Sequence, residues 1–273
     1  MKKDNKEKLS AADYEDLRNG IQKLRTIICG WILLEMVSLV IFFVLTILVI
    51  YEQEAAIKIT GFIGDHPIIS IGLSVAGAIV ALLYYIQIMD LRKFHGGLLV
   101  AGVLGVATFV YAMVSDTSSV QTLASGIGIS SRSIYESVLT KAATNALILL
   151  VLGTMFRKTY YSAMSEGAME LSVPVSRQWK GLWELTLIVT GCAVFVVLVA
   201  RALVEYFISS ILDSSLPYSE ILGRFHFMLV LLVLVTAMAG IVDIILQIRE
   251  LYCLQETAEV MFPRVDENAP YRS

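Results

Sequence analysis

From Phe227 to Val242 the chain carries no charged residue, and the apolar run continues to Leu251 interrupted only by Asp243, Gln247, Arg249 and Glu250. A stretch of this kind has one natural home. Some twenty helical residues at ~1.5 Å each span ~30 Å, the thickness of a bilayer's hydrocarbon core. Laid without gaps on residues 66–91, the run 226–251 matches at both ends. His66 falls on His226, Gln87-Ile88 on Gln247-Ile248, and Asp90-Leu91 on Glu250-Leu251, all offset by 160 residues. The shared length and polar punctuation predict a repeated membrane helix.

Composition extends this reading to the whole chain. Hydrophobic residues make up 57% of the 273 positions, charged residues only 16%, and the mean hydropathy is +0.74. Soluble domains average about 25% charged residues. The apolar residues fall into six runs: Ile27–Ile50, Ile68–Met89, Leu98–Val114, Ala142–Phe156, Leu182–Phe207 and Phe227–Ile248. The fourth is short, but Ile134, Val138 and Ala142 continue one helical face upstream. The expected fold is therefore an all-α integral membrane protein. Its six transmembrane helices form three hairpins, the first and last related by the weak internal repeat.

The expected division is a cytoplasmic tail and amphipathic helix over 1–26, a transmembrane domain over 27–251 and a cytoplasmic tail over 252–273. Within the first segment Tyr14, Leu17, Ile21, Leu24 and Ile28 recur at helical spacing, giving one apolar stripe after a capping Ser10. That helix either lies in the headgroup region or runs straight into the first span. The first apolar run is too long for a cleavable signal and is expected to stay as an anchor. Asp90–Gly97 reads as a tight turn and 115–133 as the most loop-like stretch. Pro174 is expected to stop a polar extension of the fourth span, with Ser176 capping the fifth. Trp179, Trp183, Tyr84 and Tyr85 read as an interfacial aromatic belt.

Orientation follows from Lys and Arg. With both termini cytoplasmic, sixteen of the 21 basic residues lie inside. Only Lys58, Arg132, Lys141 and Arg224 lie outside, and Arg201 lies in the membrane. The expected location is thus the cell membrane, multi-pass, with the bilayer as first partner. A membrane-protein partner or a second copy of the chain is compatible, and the net charge of −3 gives no footprint for nucleic acid.

Charges inside spans are the functional candidates, because an acid at the bilayer centre costs ~2.5–3.5 kcal/mol on insertion scales. Glu35, ~12 Å from the inner end of its span, Asp243, ~8 Å from its own, and Glu184 form a candidate intramembrane polar site. Its functional reading is a proton or cation site. Its structural reading is three acids facing different walls and reaching water or bases at the interface. Arg201 and Glu205, one turn apart, read as an outer-leaflet pair. His66 and His226 read as interfacial caps, Gln87 and Gln247 as interhelical glue, and His95 as a solvated turn residue. Cys29, Cys192 and Cys253 are too widely spaced for a disulfide frame. No HExxH, P-loop, GxSxG or CxxC occurs, so no cofactor, metal site or catalytic residue is expected. Two functions remain open. One is a non-enzymatic assembly, scaffold or regulatory subunit. The other is a small transporter or channel subunit using Glu35 and Asp243.

The charge asymmetry makes a direct prediction. A single cysteine placed at Ser118 should react with a membrane-impermeant maleimide in intact cells, and one placed at Ser273 should react only after permeabilisation.

Overall fold

The computed structural model describes residues 11–51, 67–126, 132–212 and 218–267, and all of its main elements are helices. In chain order they are α1 (Ala11–Tyr51), α2 (Pro67–Asp90), α3 (Gly97–Gly126), α4 (Arg132–Met169), α5 (Val173–Leu212) and α6 (Tyr218–Glu267), with a 3-10 turn, Leu91–Lys93, after α2. Five are long and apolar enough to cross a membrane, with mean hydropathies from 1.5 to 2.6 over their most apolar windows. The outward faces agree. Val40, Val110, Val151 and Phe195 are all exposed, as residues facing lipid must be.

Each helix packs on its neighbours in sequence, and α1 closes the ring by packing on α6. The buried core gathers at one end. It is built from Leu17–Ile28 of α1, Tyr84–Leu91 around the end of α2, Leu98 and Ala101 of α3, Phe156–Ala168 of α4, Val175–Leu182 of α5 and Leu246–Met261 of α6. Odd-numbered helices enter this packed end by their N-termini and even-numbered ones by their C-termini, so consecutive helices alternate in direction.

The first segment takes one of its two expected courses, and other boundaries fall elsewhere than expected. The apolar stripe of the first segment is buried, with Ile21 and Leu24 wholly enclosed, and α1 runs unbroken from Ala11 into the membrane stretch. Residues 252–267, expected as part of the C-terminal tail, are helical. They continue α6, whose 50 residues at ~1.5 Å each reach ~75 Å, far beyond a bilayer core. The loop-like stretch is helical as far as Gly126, while the start of α4 at Arg132 follows the face read from Ile134, Val138 and Ala142.

Pro174 does not stop α4. That helix ends at Met169, the Ser172 N–H reaches back to the Ala168 carbonyl, and Pro174 sits in the first turn of α5. A proline costs nothing there, because first-turn N–H groups have no helical acceptor. The carbonyl of Ser172 accepts the Ser176 N–H, so Ser176 lies inside the helix. Nor do all four aromatics form a belt. Trp179 is fully buried and its indole N–H donates to the Thr257 hydroxyl at 3.0 Å, and Tyr84 lies edge-on to Trp31 at 5.5 Å. Core packing has overridden the usual interfacial preference of these rings.

The turn after α2 is tight, as its glycines imply. His95 caps α3 through its own ring, Nδ1 accepting the Gly97 N–H at 3.2 Å. Its Nε2 lies 3.1 Å from the Glu166 carboxylate, so it is a contact to α4 and not a solvated side chain. Burial among apolar side chains beside Glu250 pushes the Cys253 thiol up to about 12, and it stays protonated at neutral pH.

Close packing of α2 on α3 depends on Gly102, where a methyl group would meet the Tyr85 carbonyl at 2.9 Å and the side chain of Met89. Gly153 has open space around it. Gly102→Val should therefore destabilise the detergent-solubilised protein by ~1–3 kcal/mol, read as a lower unfolding midpoint. Gly153→Ala should leave that midpoint unchanged or raise it.

Candidate intramembrane carboxylate site

Asp243, Gln247 and Glu250 are spaced four and three residues apart, which places all three on one face of α6. That face turns into the bundle. The Gln247 amide nitrogen donates to two acids at once, Glu35 on α1 at 2.8 Å and Asp243 at 3.0 Å. The second oxygen of Glu35 accepts the Trp31 indole N–H at 2.6 Å, one helical turn away. The second oxygen of Asp243 accepts from the Arg157 guanidinium of α4, also at 2.6 Å. One amide and one guanidinium thus tie α1, α4 and α6 together through two carboxylates.

Glu250 lies below this cluster, towards the packed end, and is almost completely buried. The Tyr84 hydroxyl donates to one of its oxygens at 2.7 Å and the Tyr161 hydroxyl to the other at 3.1 Å. A buried carboxylate needs such donors, since an unpaired one would cost several kcal/mol. The rings holding it belong to an aromatic cluster in which Tyr160 stacks on Phe156 at 5.9 Å and meets Trp179 edge-on at 5.8 Å.

Above the cluster opens a cavity of about 820 Å³ to which all six helices contribute. Its polar end carries Arg157, Asp243, Gln247, Glu250 and Tyr84, while Leu149, Val189, Val196 and Val235 make its walls apolar. Arg157 and Asp243 remain about one-third exposed although they sit inside the ring, so the open space reaches them. Thr154 and Thr190 also line it, their hydroxyls 3.3 Å apart across α4 and α5. A space of this size and lining can hold a small molecule.

The sequence candidates divide. Glu35 and Asp243 are brought together, and Gln247, read as glue, is the group that joins them. Glu184 is exposed on α5 and takes no part, because depth along a helix does not fix the direction in which a side chain points. Arg201 and Glu205 are both exposed, with no ion pair between them among the described residues. Gln87 sits at the α1 contact, its amide 3.5 Å from where a methyl on Gly20 would lie. His66 lies outside the described residues, as does the side chain of His226. Among the described residues no group of three His, Cys, Asp or Glu side chains could hold a metal ion.

Arg157 and Glu250 are the residues the sequence reading missed. Arg157, just past the fourth apolar run, falls by position among the sixteen inside bases, but its long side chain reaches inward to Asp243. Glu250 was read as the counterpart of Asp90, yet α2 gives way to a turn at Asp90 while α6 runs on. The spacing of Asp243, Gln247 and Glu250 on one face was the available signal. No protein-family model matches the chain, no curated protein aligns with it, and no solved structure matches its fold.

The Arg157–Asp243 contact should be measurable as a coupling. In a double-mutant cycle with Arg157→Gln and Asp243→Asn, either single change should lower thermal stability more than the double change does. Partial exposure limits the expected coupling to ~1–2 kcal/mol.

Proposed function

We propose that this chain is a small membrane transporter or channel subunit in which Glu35 and Asp243 bind a proton or small cation at the polar end of the cavity. The observation that carries this reading is the Gln247 bridge. It joins Glu35 to Asp243, an acid of another helix that lines the open space, instead of letting each reach its own wall. Ionisable groups kept inside a span are costly, and an open cavity is where such groups serve an ion path. Arg157 offsets one negative charge, so a second must be met by a proton, a cation or water.

The wider setting belongs to the same proposal. Six spans, with α6 as the sixth, cross the cell membrane as three hairpins with both termini cytoplasmic, and the first and last hairpins are kin through the 160-residue offset. The placement of Arg92, Lys93, Arg157, Lys158, Arg177 and Lys180 on or near the packed end supports putting that end in the cytoplasm. The lipid bilayer is the first partner, and a second membrane protein or another copy of the chain is compatible with the apolar outer surface.

A non-enzymatic assembly or scaffold subunit is the second reading. Its support is that every carboxylate of the site already accepts hydrogen bonds, as a purely structural network would require. In that case α1 and the end of α6, projecting past the membrane, would be the contact surface.

Glu35→Gln separates the two. Glutamine keeps the shape and can accept only one of the two hydrogen bonds that Glu35 accepts, from Trp31 or from Gln247, and it cannot titrate. In proteoliposomes driven by a pH or cation gradient, the transport reading expects flux to be abolished in a protein that still folds, its thermal midpoint lowered by about one hydrogen bond, ~1 kcal/mol. The scaffold reading expects no flux from the unaltered protein, and a smaller loss of stability in Glu35→Gln than in Glu35→Leu, which removes both acceptors. Undiminished flux in Glu35→Gln would sink the carboxylate mechanism.

A further inference from the structure

The cavity also points to the chemical class of its occupant, an inference that deepens the transport reading and rests on the same site. We infer that it binds an amphiphilic organic cation, with an apolar body along its walls and a positive group beside Asp243.

Size and lining come first. About 820 Å³ is far more than a bare proton or metal ion needs, and the walls are built from Leu149, Leu150, Val189, Val196 and Val235. Such walls favour hydrocarbon over water, at roughly 25 cal/mol per Å² of apolar surface covered. Ile188 on α5 and Met238 on α6 both line it and are each 66% exposed, so part of its wall is also apolar outer surface.

Charge decides the sign of the polar group. Three carboxylates, Glu35, Asp243 and Glu250, gather around a single guanidinium, Arg157. An anionic ligand would meet acid oxygens with one guanidinium to receive it, whereas a cation finds an acceptor in Asp243. Trp31, Tyr84 and Tyr85 line the same end and can supply ring faces for a desolvated cation.

Hydrogen bonding agrees with the charge count. Because the Gln247 nitrogen serves both acids, its Oε1 is left buried with no donor. Turning the amide round would set that oxygen against two carboxylates. Oε1 lies beneath the cavity surface, so it is not the contact for a ligand. It marks a cluster in which acceptors outnumber donors, the polarity that suits a cation and not an anion.

The test is titration calorimetry on the full-length protein in lipid nanodiscs, with empty nanodiscs subtracted, using octylammonium, octan-1-ol and octanoate at neutral pH. These probes share one apolar body and differ in charge. Octylammonium should bind at least ~tenfold more tightly than octan-1-ol, the scale of one charge-assisted hydrogen bond, and octanoate should bind most weakly. Asp243→Asn should remove most of that preference. Equal binding of all three probes, or a preference for octanoate, would overturn the inference on the unaltered protein alone, whether or not a variant folds. So would a preference that survives both Asp243→Asn and Glu35→Gln. The two readings fail separately: ammonium selectivity without flux removes transport and keeps the site, and flux without selectivity removes the organic cation and keeps transport.

Discussion

Keeping three carboxylates inside an apolar bundle is the constraint to which the rest of this structure answers. An ionised acid in hydrocarbon would lose its hydration at a cost no helix packing could absorb. Each acid here has been given donors: an indole and an amide for Glu35, a guanidinium and the same amide for Asp243, two phenols for Glu250. The donors come from α1, α2, α4 and α6. Satisfying the acids therefore fixes how four helices stand relative to one another, and α3 and α5 complete the ring between them.

The ring order then explains the cavity. Helices that pack chiefly on their sequence neighbours leave a space along the axis, and side chains must fill it or line it. At the packed end it is filled by Tyr160, Tyr161, Met164, Trp179, Leu254 and Met261, all nearly or wholly buried. Higher up, the inward positions fall to smaller residues such as Ala146, Gly153, Ala193 and Ala239, and the axis stays open. The polar cluster sits at the boundary, so it serves as the floor of the space above and the roof of the core below.

How much of this could be read from the sequence follows from what a linear pattern encodes. Apolar runs long enough for a bilayer gave the all-helical membrane character, and the stripe Tyr14–Ile28 gave a helix that the structure buries. Glu35 and Asp243 stood out because a charge in such a run is costly wherever it points. The lost part was azimuth and reach. Glu184 has similar depth but the opposite facing, and Arg157 begins near the interface yet extends its guanidinium to Asp243. Trp179 and Tyr84 resemble interfacial rings in sequence, and only the tertiary partners Thr257 and Glu250 reveal them as core.

The continuity of α6 has a mechanical side. Between Asp243 and Met261 there is neither proline nor glycine, so the helix has no joint over that distance of ~27 Å. Asp243 is held at the cavity floor, while Leu254, Ala258 and Met261 are wedged among α1 and its neighbours at the far end. A rod without a joint passes a displacement at one end to the other as a tilt or a slide. A displacement of Asp243, whether by an arriving charge or by the loss of its guanidinium partner, therefore loads the hydrogen bond from Trp179 to Thr257 at the packed end.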